Sequence, residues 1–365
     1  MQLKSILQQV PDPRGKQGQD YKLWSILSLI ILSLLCGRRG MMAAFVLGRS
    51  LSRRQKAALG FVRGKSPCHA TLTETMRAID ARALADILGA LDLADGNDAR
   101  HIAFDGKTMR ASKDSDGKAE HVLSAFCCGL QTIVGHEASR GKGLEIPDAL
   151  KLLERLDLTG KIITGDAIFC QKSIATKIVD RGGDYIFPVK DNQKTLRQDI
   201  ETAFNEPVFP LCTWDSGVEK AHGRIEQRAI DVLPAEAAGI EREWPTVRQI
   251  CRVRRWRQVK KNGVWQPPQH EVVHLISSLT AATSPQALLR INRDHWGIEI
   301  MHRNKDVILG EDGYTNRCDN APRNIFSLTG FVLKILKSVS SSPTRAIERF
   351  QDDRNRAIRL FSGFH

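Results

Sequence analysis

No C-x-x-C pair occurs among the eight cysteines of this 365-residue chain (Cys36, Cys68, Cys127, Cys128, Cys170, Cys212, Cys251, Cys318). A zinc site built on paired thiolates is therefore unsupported. Scattered thiols without an export signal point to a reducing compartment, so a cytoplasmic, nucleoid-associated protein is expected. An apolar run of membrane length is lacking too. The segment Leu23 to Cys36 (LWSILSLIILSLLC) has 14 residues, contains three serines and follows a polar 22-residue lead. A spanning helix needs about 20 apolar residues, and a signal peptide would sit nearer the start. It reads as a buried core helix, with no membrane role. No internal repeat is evident, which excludes a repeat array. Acidic residues are also short: 41 against 54 Lys and Arg, for a formal charge of +13. That excess favours a polyanionic partner, nucleic acid before membrane surface.

What is present reads as two kinds of segment. Residues 1–98 look mostly helical, with a Pro/Gly turn at Val10 to Tyr21, the apolar helix, a stop at Gly37 to Gly40, and a short basic helix at Leu51 to Leu59. After a Gly/Pro break at Gly64 to Cys68 comes TLTETMRAIDARALADILGALDL, with Thr71 or Thr73 as cap. This block either presents a helix to DNA or is an ordinary bundle with a basic wet face. From His101 the pattern alternates between strands and helices. A hairpin spans His121 to Cys127 and Gln131 to Ala138, and β–α units follow through Val189. The order predicts a mixed α/β sheet. Residues 206–288 read as a β-rich insertion, with Asn262-Gly263 as a type I′ hairpin turn. Helices resume at Pro285, and the tail 341–365 reads as loosely held.

Three acidic residues stand out. HIAFDGKTMRAS carries Asp105 after an apolar strand, KIITGDAIFC carries Asp166 after another, and HWGIEIMHRNKD carries Glu299 on a helix. Two divalent ions roughly 4 Å apart can activate an attacking oxygen and neutralise a leaving one on a phosphodiester. Hard cations such as Mg2+ take oxygen ligands, which carboxylates from separate elements can supply. Taken singly, an aspartate before a glycine after an apolar run is more often a turn or helix-cap residue than a ligand.

Together FDGKTMRAS, ITGDAIFCQK with GGDYIFPVKDNQ, and HWGIE followed by GED and NAP resemble bacterial insertion-sequence transposases of the DDE type, the group of the H-repeat-associated proteins. The likeness extends to DPR…LWSIL and covers most of residues 5–340. It implies a ribonuclease-H-like core: residues 99–205 and 289–340, interrupted by the insertion, behind an N-terminal helical domain. It implies Asp105, Asp166 and Glu299 as catalytic metal ligands for two Mg2+ ions, with Mn2+ expected to substitute. Cleavage of element ends and transfer of the freed 3′ hydroxyls to target DNA would follow, by a homodimer on double-stranded DNA. The chain departs from related transposases near the glutamate. Asn292 and His295 stand where a tyrosine and an arginine are usual. Asp306 stands seven residues after Glu299, where a basic residue is usual, with Lys305 one step early. On a regular helix Asp306 shares the face of Glu299 and Lys305 does not.

Further DNA contacts are expected from Lys107 and Arg110 beside the first ligand, Arg through its bidentate fork; both are otherwise surface residues. Lys190, Asn192 and Gln193 lie where a strand-end loop could touch DNA, Asn192 being alternatively a helix cap. His302 either contacts the scissile phosphate or is a hydrogen-bonded structural histidine, and Lys305 is a further candidate contact. Arg252, Arg254, Arg255, Arg257, Lys260 and Lys261 surround Trp256 in the insertion. There Arg255 would meet phosphate, and Trp256 would stack on an unpaired base or else pack a hairpin. Two rival readings stay open: a non-catalytic DNA-binding relic, and a nuclease that performs no strand transfer.

Overall fold

The computed structural model describes residues 3–90, 100–113, 116–140, 143–221, 223–315 and 318–362. The chain opens with helices α1 (Leu3–Leu7), α2 (Leu23–Leu35), α3 (Met41–Ser50), α4 (Arg53–Ala58), α5 (His69–Ala78) and α6 (Ala81–Ala90). Strands and helices then alternate: β1 (His101–Met109), β2 (Glu120–Cys127), β3 (Thr132–Arg140), α7 (Glu145–Arg155), β4 (Ile162–Gly165), α8 (Lys172–Asp180), β5 (Asp184–Val189) and α9 (Lys194–Asn205). Next come β6 (Cys212–Asp215), β7 (Glu219–Ala221), β8 (Arg224–Pro234), β9 (Gln249–Lys261), β10 (Val264–Trp265) and β11 (Gln269–Ser277). Helices α10 (Pro285–Asp294), α11 (Trp296–Val307), α12 (Ala321–Val339), α13 (Pro343–Asp352) and α14 (Arg354–Ser362) close the chain. They form two compact units: Met1–Gly96 with Gly106–Leu144 and Ile298–His365, and Asn97–Asp105 with Glu145–Gly297.

The first unit is built around α2, every residue of which is buried. Each fully buried Leu or Ile there contributes about 1.5–3 kcal/mol, and α1, α3, α12, α13 and α14 all pack on it. Its serines are tolerated because a hydroxyl can turn back on the helix: Ser28 Oγ donates to the Trp24 carbonyl at 2.7 Å. The core-helix reading holds, and among the described residues no helix is long and apolar enough to cross a membrane. The tail is not loose. Phe350, Ala357, Ile358 and Phe361 are fully buried, and α14 packs on α1, α2 and α4. The amphipathic spacing of those residues, diluted by Arg and Asp, concealed this.

The long helical segment at 71–93 splits in two. Its first helix begins at His69 after Cys68 rather than at Thr71 or Thr73, and it ends at Ala78 with Ile79 as C-cap. Asn324 of α12 donates to the carbonyls of Met76 (2.8 Å) and Ile79 (2.9 Å), satisfying that helix end. Asp80 then accepts from the Ala83 amide at 2.7 Å and starts α6. The end of the segment, residues 91–93, and the expected boundary at 98–99 lie outside the described residues.

In the first unit the strand order is β3-β2-β1; in the second it is β1-β4-β5-β11-β9-β8-β6, with His101 to Phe104 of β1 pairing β4. Strands β1, β4 and β5 are parallel neighbours. This is the expected class, a ribonuclease-H-like mixed sheet with a β-rich insertion and a helical N-terminal region. Strand β11 pairs antiparallel with β5 from His274↔Val189 to Ser277↔Ile186. The insertion therefore prolongs the sheet instead of standing apart, because β5 would otherwise leave an unpaired edge. The Asn262-Gly263 turn is confirmed: both have positive φ, 48° and 82°, and join β9 to β10.

Candidate active site

Asp105 does not end its strand. The run continues through Gly106 and Lys107 to Met109, so no turn occurs at Asp-Gly. Gly106 is required for another reason: a Cβ there would lie 2.6 Å from His121 Nε2. In the second unit the parallel register pairs Phe104 with Gly165. Asp105 and Asp166 are the next residue on each segment. Asp105 is half-buried and Asp166 exposed.

Asp166 heads the 3-10 turn Ala167–Phe169, yet its side chain makes no cap hydrogen bond. The carboxylate is not consumed by local structure. Gly165 lets the turn fold tightly, since a Cβ would meet Phe169 at 2.7 Å. Phe169 packs edge-on against Phe104 with centroids 6.2 Å apart, tying the two aspartate-bearing segments together. A second loop braces the turn from below. Asn192 Nδ2 donates to the Ala167 carbonyl at 2.6 Å, and Gln193 Nε2 to the Cys170 carbonyl at 3.0 Å. Asn192 is thus not a side-chain cap: α9 has Gln193 at its N-cap position. Lys190, beside it, is exposed.

Behind the aspartates runs a polar chain that sequence reasoning missed. Thr164 Oγ1 lies 2.8 Å from His101 Nε2 and 2.9 Å from His295 Nδ1. A hydroxyl has one proton, so it donates to one imidazole and accepts from the other. Burial, followed by the neighbouring His295, pushes His101 down to about 4. Burial also lowers His295, while Asp166 pulls it back up. Period-2 alternation was the available signal. His101 is four residues before Asp105, and Thr164 two before Asp166, each on its aspartate's face.

In the first unit, Glu299 sits exposed in the first turn of α11. His302 is buried, and burial, then Lys305 and Lys107, hold it down at about 3. Its ring lies 6.3 Å from that of Phe326. Lys305, expected at DNA, is instead fully buried, with Nζ 2.8 Å from Glu311 Oε1 and 3.1 Å from the Phe326 carbonyl. This i+6 position turns away from the exposed face of Glu299, in keeping with the helical spacing. Burial brings the Lys305 ammonium down to about 8 against the pull of Glu311. Burial also pushes Glu311 up, but Lys305 and Lys107 outweigh it and hold the carboxyl at about 2. Lys107 is turned inward to Asp306 and Glu311. Arg110 is exposed, 3.8 Å from Asp312.

In the insertion the basic stripe is largely matched by acids across the strands. Arg252 and Arg254 both reach Asp231 at 3.0 Å, and Arg255 bonds Glu226 and lies 3.4 Å from Glu271. Trp256 is half-buried, paired in register with Gln227 and His270.

Among the described residues no group of three or more His, Cys, Asp or Glu is placed to hold a metal ion. The donor chemistry of Asp105 and Asp166 nevertheless fits a hard cation: one carboxylate on β1 and one just past the end of its neighbour β4, the second free of cap duty.

Comparison with known proteins gives a consistent picture. The family model described as Transposase DDE domain matches residues 96–318, and the one described as DDE_Tnp_1-associated matches residues 4–91. YbfL of Escherichia coli K12 is 31% identical over 100% of this chain and 99% of its own. YhhI of the same organism, an H repeat-associated protein whose name gives transposase as a provisional assignment, matches at the same identity and coverage. A cryo-EM structure of the piggyBac transposase synaptic complex with hairpin DNA aligns at a TM-score of 0.43 and 12% identity, over 96% of this chain and 73% of that one, too slight a likeness to build on. With one family model spanning most of the chain and full-length relatives above 30% identity, the chain belongs to the DDE transposase family.

Proposed function

We propose that this transposase cleaves the ends of an insertion element and joins the freed 3′ hydroxyls to target DNA, with Asp105, Asp166 and Glu299 as its catalytic carboxylates. The observation that supports the reading is the parallel Phe104–Gly165 register, since Asp105 and Asp166 are the next residue on each segment. Asp105, Asp166 and Glu299 would hold Mg2+, or Mn2+ in its place. Such ions, when bound, supply charge neutralisation and oxygen activation at the phosphodiester.

The remaining work falls to the chain itself. Asn192 and Gln193 hold the turn that aims Asp166. The His101–Thr164–His295 chain ties β1 and β4 to the end of α10. Exposed Arg110 and Lys190 are the candidate phosphate contacts, and Trp256 with Arg255 the candidate contacts in the insertion. Joining two ends needs two such sites, so a dimer on paired ends is part of the proposal.

The test is cleavage of DNA flanking the protein's own gene, in Mg2+ and in Mn2+. We expect metal-dependent nicking and joining, with Asp105→Asn abolishing both while binding DNA nearly as wild type. Binding without nicking by the wild-type protein would make it a relic, and nicking without joining a nuclease. Normal nicking by Asp105→Asn would remove that residue from the site.

A further inference from the structure

Lys107 lies two residues beyond Asp105 on β1, so strand alternation places both on one face. A lysine there invites reading as a phosphate clamp, but its ammonium is turned inward. The side chain is only 9% exposed and is paired with Asp306 and with Glu311 at 2.7 Å, with Asp312 at 3.7 Å. Asp306 stands seven residues beyond Glu299 on α11, two turns along and on the same side of the helix. Lys107 therefore joins the strand of one proposed catalytic carboxylate to the helix of another.

Glu311 extends the cluster. It is fully buried, takes Lys107 on one oxygen, and on the other takes Lys305 at 2.8 Å and the Thr329 hydroxyl at 2.5 Å. Helix α11 is thus gripped at the adjacent positions Lys305 and Asp306, both through partners of Glu311. Buried ion clusters add little net stability over well-packed apolar groups, but leaving one half-paired is costly. Such a cluster tolerates one register of helix against strand and penalises the next.

We propose that Lys107 is a positioning residue, fixing α11 and so Glu299 against β1, rather than a DNA contact. The proposal rests on the reading of Asp105 and Glu299 given above. It also accounts for the acid at position 306, where related transposases carry a base: the base comes from β1 instead.

The experiment compares wild type with Lys107→Met and Lys107→Arg in three readouts: steady-state cleavage, DNA affinity against salt, and amide hydrogen exchange in α11. Lys107→Met should lower kcat by about 10- to 100-fold, as loss of a supporting partner does. DNA affinity should stay within about twofold and its salt slope unchanged, while α11 amides lose protection. Lys107→Arg should recover most of the rate. Arg323→Met, which breaks a 2.5 Å ion pair with Glu120, is the structural control and should lower stability without moving kcat. A loss of affinity with the salt slope reduced by about one would make Lys107 a phosphate contact and overturn the proposal. Unchanged exchange in α11 would overturn it equally. Should Lys107→Met fail to fold, Asp306→Asn, at the half-buried partner, takes its place. If wild type does not cut at all, the catalytic reading fails, and hydrogen exchange still decides the positioning role.

Discussion

The side-chain amide of Asn192 donates to the backbone carbonyl of Ala167 at 2.6 Å, one residue past Asp166. Because the Asp166 side chain makes no cap hydrogen bond to its own turn, the direction of its carboxylate follows the turn backbone that this outside brace holds. Asn192→Ala should lower cleavage by about tenfold or more with DNA affinity retained, since supporting partners of ligands matter at that level. Rates and filter-binding affinities on the same end-sequence DNA would check it. An affinity loss equal to the rate loss would mean that Asn192 touches DNA instead.

Thr164→Val removes the hydroxyl shared by His101 and His295 and leaves two half-buried imidazole nitrogens without it. We expect a destabilisation of about 1–3 kcal/mol, read by urea denaturation, and a fall in cleavage beyond what reduced folding explains. Thr164→Ser, which keeps the hydroxyl, should lose less of both.

Acid should weaken the fold in a defined window. His101 is held at about 4 against 6.5 in the unfolded chain, burial being the first cause and His295 the second. As pH falls, the unfolded chain takes up the proton first. The contribution is therefore whole above about 6.5 and drains away as pH drops toward 4, amounting to about 1–3 kcal/mol. His101→Gln should flatten the stability profile between those values. Glu311, held at about 2 against 4.5, adds a further loss at lower pH still. A profile identical for wild type and His101→Gln would refute the assignment.

Truncation after Val339 removes α13 and α14, and with them Phe350, Ile358 and Phe361 from the wall around α2. Burying each such side chain is worth about 1.5–3 kcal/mol. The truncated chain should therefore be recovered aggregated or with a sharply lowered melting temperature. Wild-type thermal stability in the truncated protein would show that the helices contribute nothing to that core.

The residues at the candidate site divided according to how local their role is. The strand before Asp166, the hairpin at Asn262-Gly263 and the buried α2 were legible because periodicity and turn chemistry act within a few residues. Asp105 was read as the end of a strand because Asp-Gly marks turns. In the structure that glycine serves the close approach of His121, which no local pattern records. Lys107 was expected at DNA from its place beside Asp105, and Lys305 from its place one step short of the usual basic position after Glu299. The carboxylates that draw them inward come from Asp306 and Glu311, and Glu311 is some two hundred positions from Lys107.

Sequence alone determined the family, the alternation of helix and strand, and the identities of the acidic residues, since these depend on order and spacing along the chain. Tertiary structure decided which charges are available to a substrate. A lysine's fate depends on whether a carboxylate lies beside it once the core has excluded water, and that proximity is set by packing between distant segments. The parallel register that sets Phe104 beside Gly165, and the cluster that turns Lys107 inward, both belong to that second kind.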